Sequence, residues 1–222
     1  QSGVESLIKT LPDVGSNNEL SSQYSVRGGS FDENLVYIND VEVYRPFLVR
    51  SGQQEGLSII NPDMVERVMF SPGGFEAKYG DKMSSVLDIT YHRPNKFGGK
   101  ISGSLLGGSA YVEGTIKEKF TYSIGLRRHS NQYLLNTLDT EGDYTSAYTD
   151  MQTILTYKAS PKLDISFLGI YSKNKYGLVP QNQTTNFGNF FEAMQLRVYF
   201  DGQEIDEYTT MMGAVTFDYR PN

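Results

Sequence analysis

Within thirteen residues, the stretch YRPFLVRSGQQEG (44–56) gathers two guanidinium groups, two aromatic rings and two carboxamides. Arg45 and Arg50 supply positive charge, Tyr44 and Phe47 flat apolar area, and Gln53 and Gln54 neutral donors and acceptors. Such a set holds a bulky polar or anionic molecule by charge-assisted hydrogen bonds and stacking together, so these six are candidate ligand-binding residues. A plainer reading stays open, in which Phe47, Leu48 and Val49 pack a loop and the arginines are solvated. GGSFDEN (28–34) reads either as a second contact or as a turn with an Asx-type hydrogen bond. The acidic run DTEGDYTSAYTD (139–150) invites calcium, but its spacing departs from the EF-hand pattern and a solvated loop is the expectation.

Other chemistries have no apparatus in this chain. There is no serine elbow, no phosphate-cradling G-x-x-x-x-G-K and no G-x-G-x-x-G, so an enzyme is not expected. With no cysteine and only His92 and His129, neither a disulfide framework nor a zinc or haem site is expected, and no cofactor is called for. Residues 1–94 carry 8 Lys/Arg against 13 Asp/Glu, and residues 95–222 carry 12 against 13, a balance that disfavours a nucleic-acid partner.

The elements that must position these residues follow two grammars. Residues 1–94 read as an α+β unit. Val4, Leu7, Ile8 and Leu11 recur at helical spacing until Pro12 stops them. Leu35–Ile38 and Val41–Tyr44 read as short strands joined by a polar turn at Asn39-Asp40. A helical turn near Asn61-Pro62-Asp63, a strand at 65–71, a Pro-Gly-Gly turn and a strand at 86–91 complete the unit. Between apolar runs, Arg27-Gly28-Gly29 spends two glycines, which suits positive φ or close approach to another surface.

After Pro94 the pattern becomes long alternation. Phe120, Tyr122, Ile124 and Leu126 share one face, with Thr121, Ser123, Gly125 and Arg127 on the other. Leu163, Ile165, Phe167 and Tyr171 face away from Asp164, Ser166 and Ser172, although Leu168 and Ile170 break the rule. Met211, Val215, Phe217 and Tyr219 repeat it against Thr210, Thr216 and Asp218. Short breaks at 117–119 and 159–162 alternate with long ones at 135–149 and 175–191, the rhythm of a barrel with tight turns on one side. A soluble antiparallel sheet with one wet face suits the same alternation. Six to eight strands are expected in 98–222, with a hairpin about Asp201-Gly202, whereas a barrel enclosing a folded domain needs roughly 22. The intact protein is therefore expected to be several-fold longer.

VESLIKTLPDV (4–14), YSVRGGSFDENLVYINDVEVY (24–44) and VERVMFSPGGFEAKYGDKMSSVLDITYHRP (65–94) together resemble the plug domain of TonB-dependent outer-membrane receptors of Gram-negative bacteria. The match lies in the order of a helix ending in Leu-Pro, an Arg-Gly turn, a V-Y-I-N-D-V hairpin, a V-E-R-V strand, a Pro-Gly-Gly turn and a Tyr-Gly loop. MFSPGG (69–74) and SVLDI (85–89) depart from the family's usual forms in a Bacteroidetes-like style. NLVYINDV stands where SusC-like glycan transporters carry P-L-Y-V-I-D-G, which argues against a SusD-like lipoprotein lid.

The resemblance implies an α+β plug over 1–94, then over 95–222 the first antiparallel strands of a transmembrane β-barrel, incomplete here and 22-stranded in full. It implies energy-coupled uptake of a scarce, bulky nutrient such as a siderophore, cobalamin, glycan or peptide. The alternatives are a ligand-sensing or interaction protein of the same architecture, and a soluble β-rich binding domain. The implied partners are the nutrient, outer-membrane lipid, and TonB through a segment outside this chain, since no TonB box stands ahead of Val4. Arg27, Gly28 and Gly29, with Arg67 of the VER strand, would form a plug–barrel latch, the guanidinium groups pairing with barrel carboxylates.

Overall fold

A computed structural model describes residues 4–15, 24–30, 33–44, 58–80, 84–130, 142–180, 182–188, 193–199 and 202–221. Among them no helix is long and apolar enough to cross a membrane. Helix α1 (Val4–Ile8) buries Val4 and Ile8, one turn apart, while Leu7 and Leu11 of the same apolar set stay exposed. Strands β1 (Val14–Gly15) and β2 (Ser25–Val26) pair behind it.

A four-stranded sheet organises the rest of the N-terminal unit. Its order is β4 (Val41–Glu42), β3 (Asn34–Ile38), β6 (Ser85–Tyr91), β5 (Val65–Ser71), with β3 and β6 parallel. Asn39 and Asp40 both sit at positive φ, 49° and 62°, the geometry a two-residue hairpin turn demands. Because the sheet is covered on both sides, β6 reads SVLDITY rather than as strict alternation. Val36, Ile38, Leu87, Ile89 and Tyr91 enter the main core, whereas Leu35 and Val86 enter a smaller cluster with Tyr79, Phe75 and Tyr37.

The remaining residues build a wall. Strands β7 (Gly98–Ser104), β8 (Gly107–Ile116), β9 (Phe120–Ser130), β10 (Gly142–Ser160) and β11 (Leu163–Pro180) pair in order, and β14 (Glu204–Tyr219) joins beyond β11, all antiparallel. Between β11 and β14, β12 (Gln183–Gly188) and β13 (Ala193–Val198) form a separate hairpin. Among the described residues β13 pairs with β12 and β14 with β11, not β13 with β14 as the hairpin expected about Asp201-Gly202 requires; Asp201 itself lies outside the described residues. The long break expected at 175–191 is strand through Pro180 and again from Gln183. Likewise the acidic run is strand from Gly142 onward.

The central wall strands β9 to β11 separate two environments. On β10 the inward residues are Tyr148, Asp150, Gln152, Ile154 and Thr156, all buried, while Met151 and Tyr157 are exposed on the other face. Leu168 and Ile170, the two residues that break the alternation of β11, point inward beside Ile154 into the same core as Val36, Ile60, Met64 and Leu87. Apolar residues stand on the polar face because a folded unit packs there. Each such side chain removed from water contributes about 1.5–3 kcal/mol. One core thus spans the N-terminal unit and the wall.

Candidate functional site

The contact between these two parts centres on residues 58–64, immediately after the 44–56 stretch. Arg127 of β9 projects inward and is 7% exposed. Its Nε and Nη2 donate to the two carboxylate oxygens of Asp150 on β10 at 2.9 and 3.0 Å, a fork-on-fork pair. The guanidinium is not exhausted by that pair. Nη1 donates to the Ile60 carbonyl at 2.8 Å, and Nη2 reaches the carbonyls of Ile59 at 3.1 Å and Ser58 at 3.4 Å. One wall cation therefore gathers three successive backbone dipoles of the N-terminal unit. The ring of Tyr148 lies 5.8 Å from the guanidinium carbon and stacks on His129 at 5.6 Å, covering the pair.

Gln152 extends the grip along β10. Its Nε2 donates to the Ile59 carbonyl and to Asp150. Its Oε1 accepts from the hydroxyl of Tyr91 at 2.8 Å, and that hydroxyl accepts from the Asn61 backbone N–H at 3.0 Å. Burial pushes the Tyr91 phenol well above its ordinary range, so it stays a donor. Asn61 caps the 3-10 turn 62–64 by accepting from Asp63 N–H at 3.1 Å. This turn sits on Gly125 of β9, where any Cβ would collide with Asn61 Nδ2 and meet Met64 Sδ at 2.9 Å. Gly125 is thus the bare patch that lets the turn dock.

Two further strands complete the seat. Lys100 of β7 reaches Asp63 at 2.5 Å, and Ser109 of β8 donates to the same carboxylate at 2.9 Å. Partial burial is the largest single influence on Asp63 and acts upward. The bonds from Lys100 and Ser109 outweigh it together with the charges of Lys100 and Arg127, holding the carboxyl below its ordinary value. Four consecutive wall strands, β7 to β10, thereby fix seven residues.

From the opposite side, Ser58 donates to Glu5 of α1. Glu5 is 3% exposed, and its second oxygen is buried without a hydrogen-bond partner among the described residues. Burial raises its pKa, against the opposing pull of the Ser58 bond and the Arg127 charge. Ser58 is therefore a junction among α1, the wall and the 44–56 stretch.

Of the expected ligand residues, Tyr44 is described and largely exposed. Arg45, Phe47, Arg50, Gln53 and Gln54 lie outside the described residues. In the expected latch, Arg27 (φ 50°) and Gly28 (φ 79°) take left-handed conformations. Arg27 pairs with Asp13 at 3.7 Å, both side chains about 60% exposed. Gly29 makes its close approach inside the unit, against Ser84 and Glu33, and not against the described wall. Arg67 donates to Thr90 at 3.3 Å on the neighbouring strand. Among the described residues the cations that hold 58–64, Arg127 and Lys100, come from the wall, while Arg93 of the N-terminal unit pairs with Asp164 of β11 at 3.6 Å. Sequence reasoning placed Arg127 on the correct face of β9 but missed its role. The available signal was a guanidinium beside Ser123 and Gly125 on a strand face otherwise lacking charge. Asp150 was missed because it was read as part of a solvated loop.

Residues 1–86 match the family model described as the TonB-dependent receptor plug domain. Solved structures with the same fold include the ferric enterobactin receptor PfeA mutant R480A from Pseudomonas aeruginosa in complex with enterobactin, 18% identical over 78% of this chain and 30% of that one, TM-score 0.52. The siderophore receptor PirA from Pseudomonas aeruginosa is 17% identical over 93% of this chain and 39% of that one, TM-score 0.52. PirA from Acinetobacter baumannii is 14% identical over 96% of this chain and 42% of that one, TM-score 0.55. The chain thus spans well under half the length of these receptors. No curated protein matches it.

Proposed function

We propose that the chain is the plug, residues 1–94, and the first barrel strands, residues 95–222, of a TonB-dependent outer-membrane receptor that takes up a scarce, bulky nutrient and performs no catalysis. The observation that carries this reading is the seat of residues 58–64. A plug-matching unit is clamped to the polar side of a strand wall whose other side is apolar, directly after the stretch that carries Arg45 and Arg50. Solved siderophore receptors of the same fold favour a ferric siderophore over cobalamin, glycan or peptide. TonB is the energy-coupling partner, the full barrel has 22 strands, and the Bacteroidetes-like branch rests on motif style. Arg27, Gly28, Gly29 and Arg67 are a second latch toward wall strands beyond those described.

Cargo on Tyr44, Arg45, Phe47, Arg50, Gln53 and Gln54 bears on Ser58, so occupancy is communicated to Glu5 and α1 on one side and to Arg127 on the other. The test is equilibrium binding and uptake of a ferric catecholate siderophore, cobalamin and an oligosaccharide by the whole receptor, with and without TonB. Arg45→Ala with Arg50→Ala weakens binding of the cargo taken up by at least about tenfold, roughly 1.4 kcal/mol, with unchanged melting. Uptake that persists without TonB, or unchanged affinity in the double variant, overturns the corresponding half of the reading.

A further inference from the structure

The outward face of the wall carries an arrangement that plug docking does not use. Register aligns its outward residues in rows. One row runs Ile101, Ala110, Leu126, Met151, Tyr171, Met211 across β7, β8, β9, β10, β11 and β14. The row on one side of it, Gly99, Val112, Ile124, Thr153, Gly169, Gly213, is uncharged. The row on the other side is Gly103, Gly108, Arg128, Thr149, Lys173, Thr209. On β9 the outward run Phe120, Tyr122, Ile124, Leu126 ends at Arg128. On β11 the run Leu163, Ile165, Phe167, Gly169, Tyr171 ends at Lys173, with Lys175 next. The cations begin where the apolar run stops, at the end of the sheet from which β9 leads to β10 and β11 to β14 through the long connections.

Charge there is unbalanced. Lys173 and Lys175 share one carboxylate, Glu207, at 2.5 and 3.1 Å, and among the described residues no carboxylate pairs with the exposed Arg128. Beside Arg128, an open groove of about 500 Å³ runs over Ile101, Ala110, Val112, Ile124 and Leu126. Gly99, which has no side chain, and Ala110, which has a single methyl, line it between larger neighbours. Adjacent strands are about 4.8 Å apart, so Arg128 and Lys173 flank a site one headgroup wide.

We propose that this tile binds a phosphorylated anionic lipid, its phosphate on Arg128, Lys173 and Lys175 and an acyl chain in the groove. An excess of cations above an apolar recess complements a molecule with a charged head and a hydrocarbon tail. The inference rests on reading the wall as membrane-spanning, which puts the long connections outside and the tile at the outer leaflet.

The experiment is native mass spectrometry of the whole receptor in detergent with equal phosphatidylglycerol and phosphatidylcholine. The parent retains phosphatidylglycerol about tenfold over phosphatidylcholine, and the triple variant Arg128→Gln, Lys173→Gln, Lys175→Gln loses that preference. Ala110→Phe, which fills the groove, lowers retention with the cations intact. A folded parent without preference, or a triple variant that keeps it, overturns the lipid site. Full retention in Ala110→Phe overturns the groove's part. A receptor that stays folded and monodisperse without detergent overturns the membrane reading itself, a distinct outcome.

Discussion

Replacing Arg127 by Met tests the clamp most directly. The substitution keeps bulk and removes the charge, leaving Asp150, which is 0% exposed, without its cation and with Gln152 as its remaining described side-chain donor, and stripping a donor from the Ile60 carbonyl. Breaking a buried pair by removing one partner costs about 3–5 kcal/mol, and an orphaned acceptor adds about 1 kcal/mol or more. Ile59 is spared because Gln152 also donates to its carbonyl. At the lower end, about 4 kcal/mol, the local opening equilibrium rises about a thousandfold. The assay is hydrogen exchange in the whole protein at the Asn61 and Met64 amides, which donate to Tyr91 and Asn61. Arg127→Met with Asp150→Leu removes both charges, and its exchange returns to within about tenfold of the parent, as expected when an ion pair is replaced by apolar residues. A single variant that changes exchange less than tenfold, or a double variant no better than the single, refutes the assignment of the clamp to this pair.

Glu5→Gln removes a carboxyl whose pKa is raised by burial. The folded unit holds that proton more tightly than the unfolded chain, so Glu5 contributes stability below its ordinary pKa of 4.5 that is lost as pH rises through the raised value. The variant therefore melts higher than the parent at neutral pH and shows a flatter pH dependence, while a parallel slope in both would remove Glu5 from the account. Gly125→Ala places a methyl against Asn61 and Met64 and costs about 1–3 kcal/mol. It appears as faster exchange over 58–64 with exchange in β9 to β11 unchanged, and wild-type exchange over 58–64 means the turn has room to shift.

Much of this architecture is written in local pattern. The Asn39-Asp40 turn, the cap at Asn61 and the alternation of β9 follow from a few neighbouring residues, and each is read from them. Pairing between distant strands is not so written. Nothing near Asp201 and Gly202 reveals that β14 passes the β12–β13 pair to join β11, because that choice depends on length and register along the two long strands. The clamp was hidden for the same reason. Arg127 meets Asp150 through register and the carbonyls of 58–60 through docking, and neither relation has a sequence period. Leu168 and Ile170 carried the clearest overlooked clue: their lapse from alternation marked where the wall receives the plug.

The contacts of residues 58–64 follow one another along the chain, and this order governs how they fail under tension. A pull on α1 reaches Ser58 through Glu5 first, then the carbonyls held by Arg127, then Asn61 against Gly125, and last Asp63 on Lys100. Bonds arranged in this way peel singly, whereas strands drawn along their own axes shear many bonds at once. The peak force is then set by the step at which Arg127 and Gln152 release residues 58–60, and the work of extraction is spread over the whole path. Release under a small steady load and resistance to thermal loss are compatible in one interface because they sample different quantities, the tallest single step and the sum of all steps.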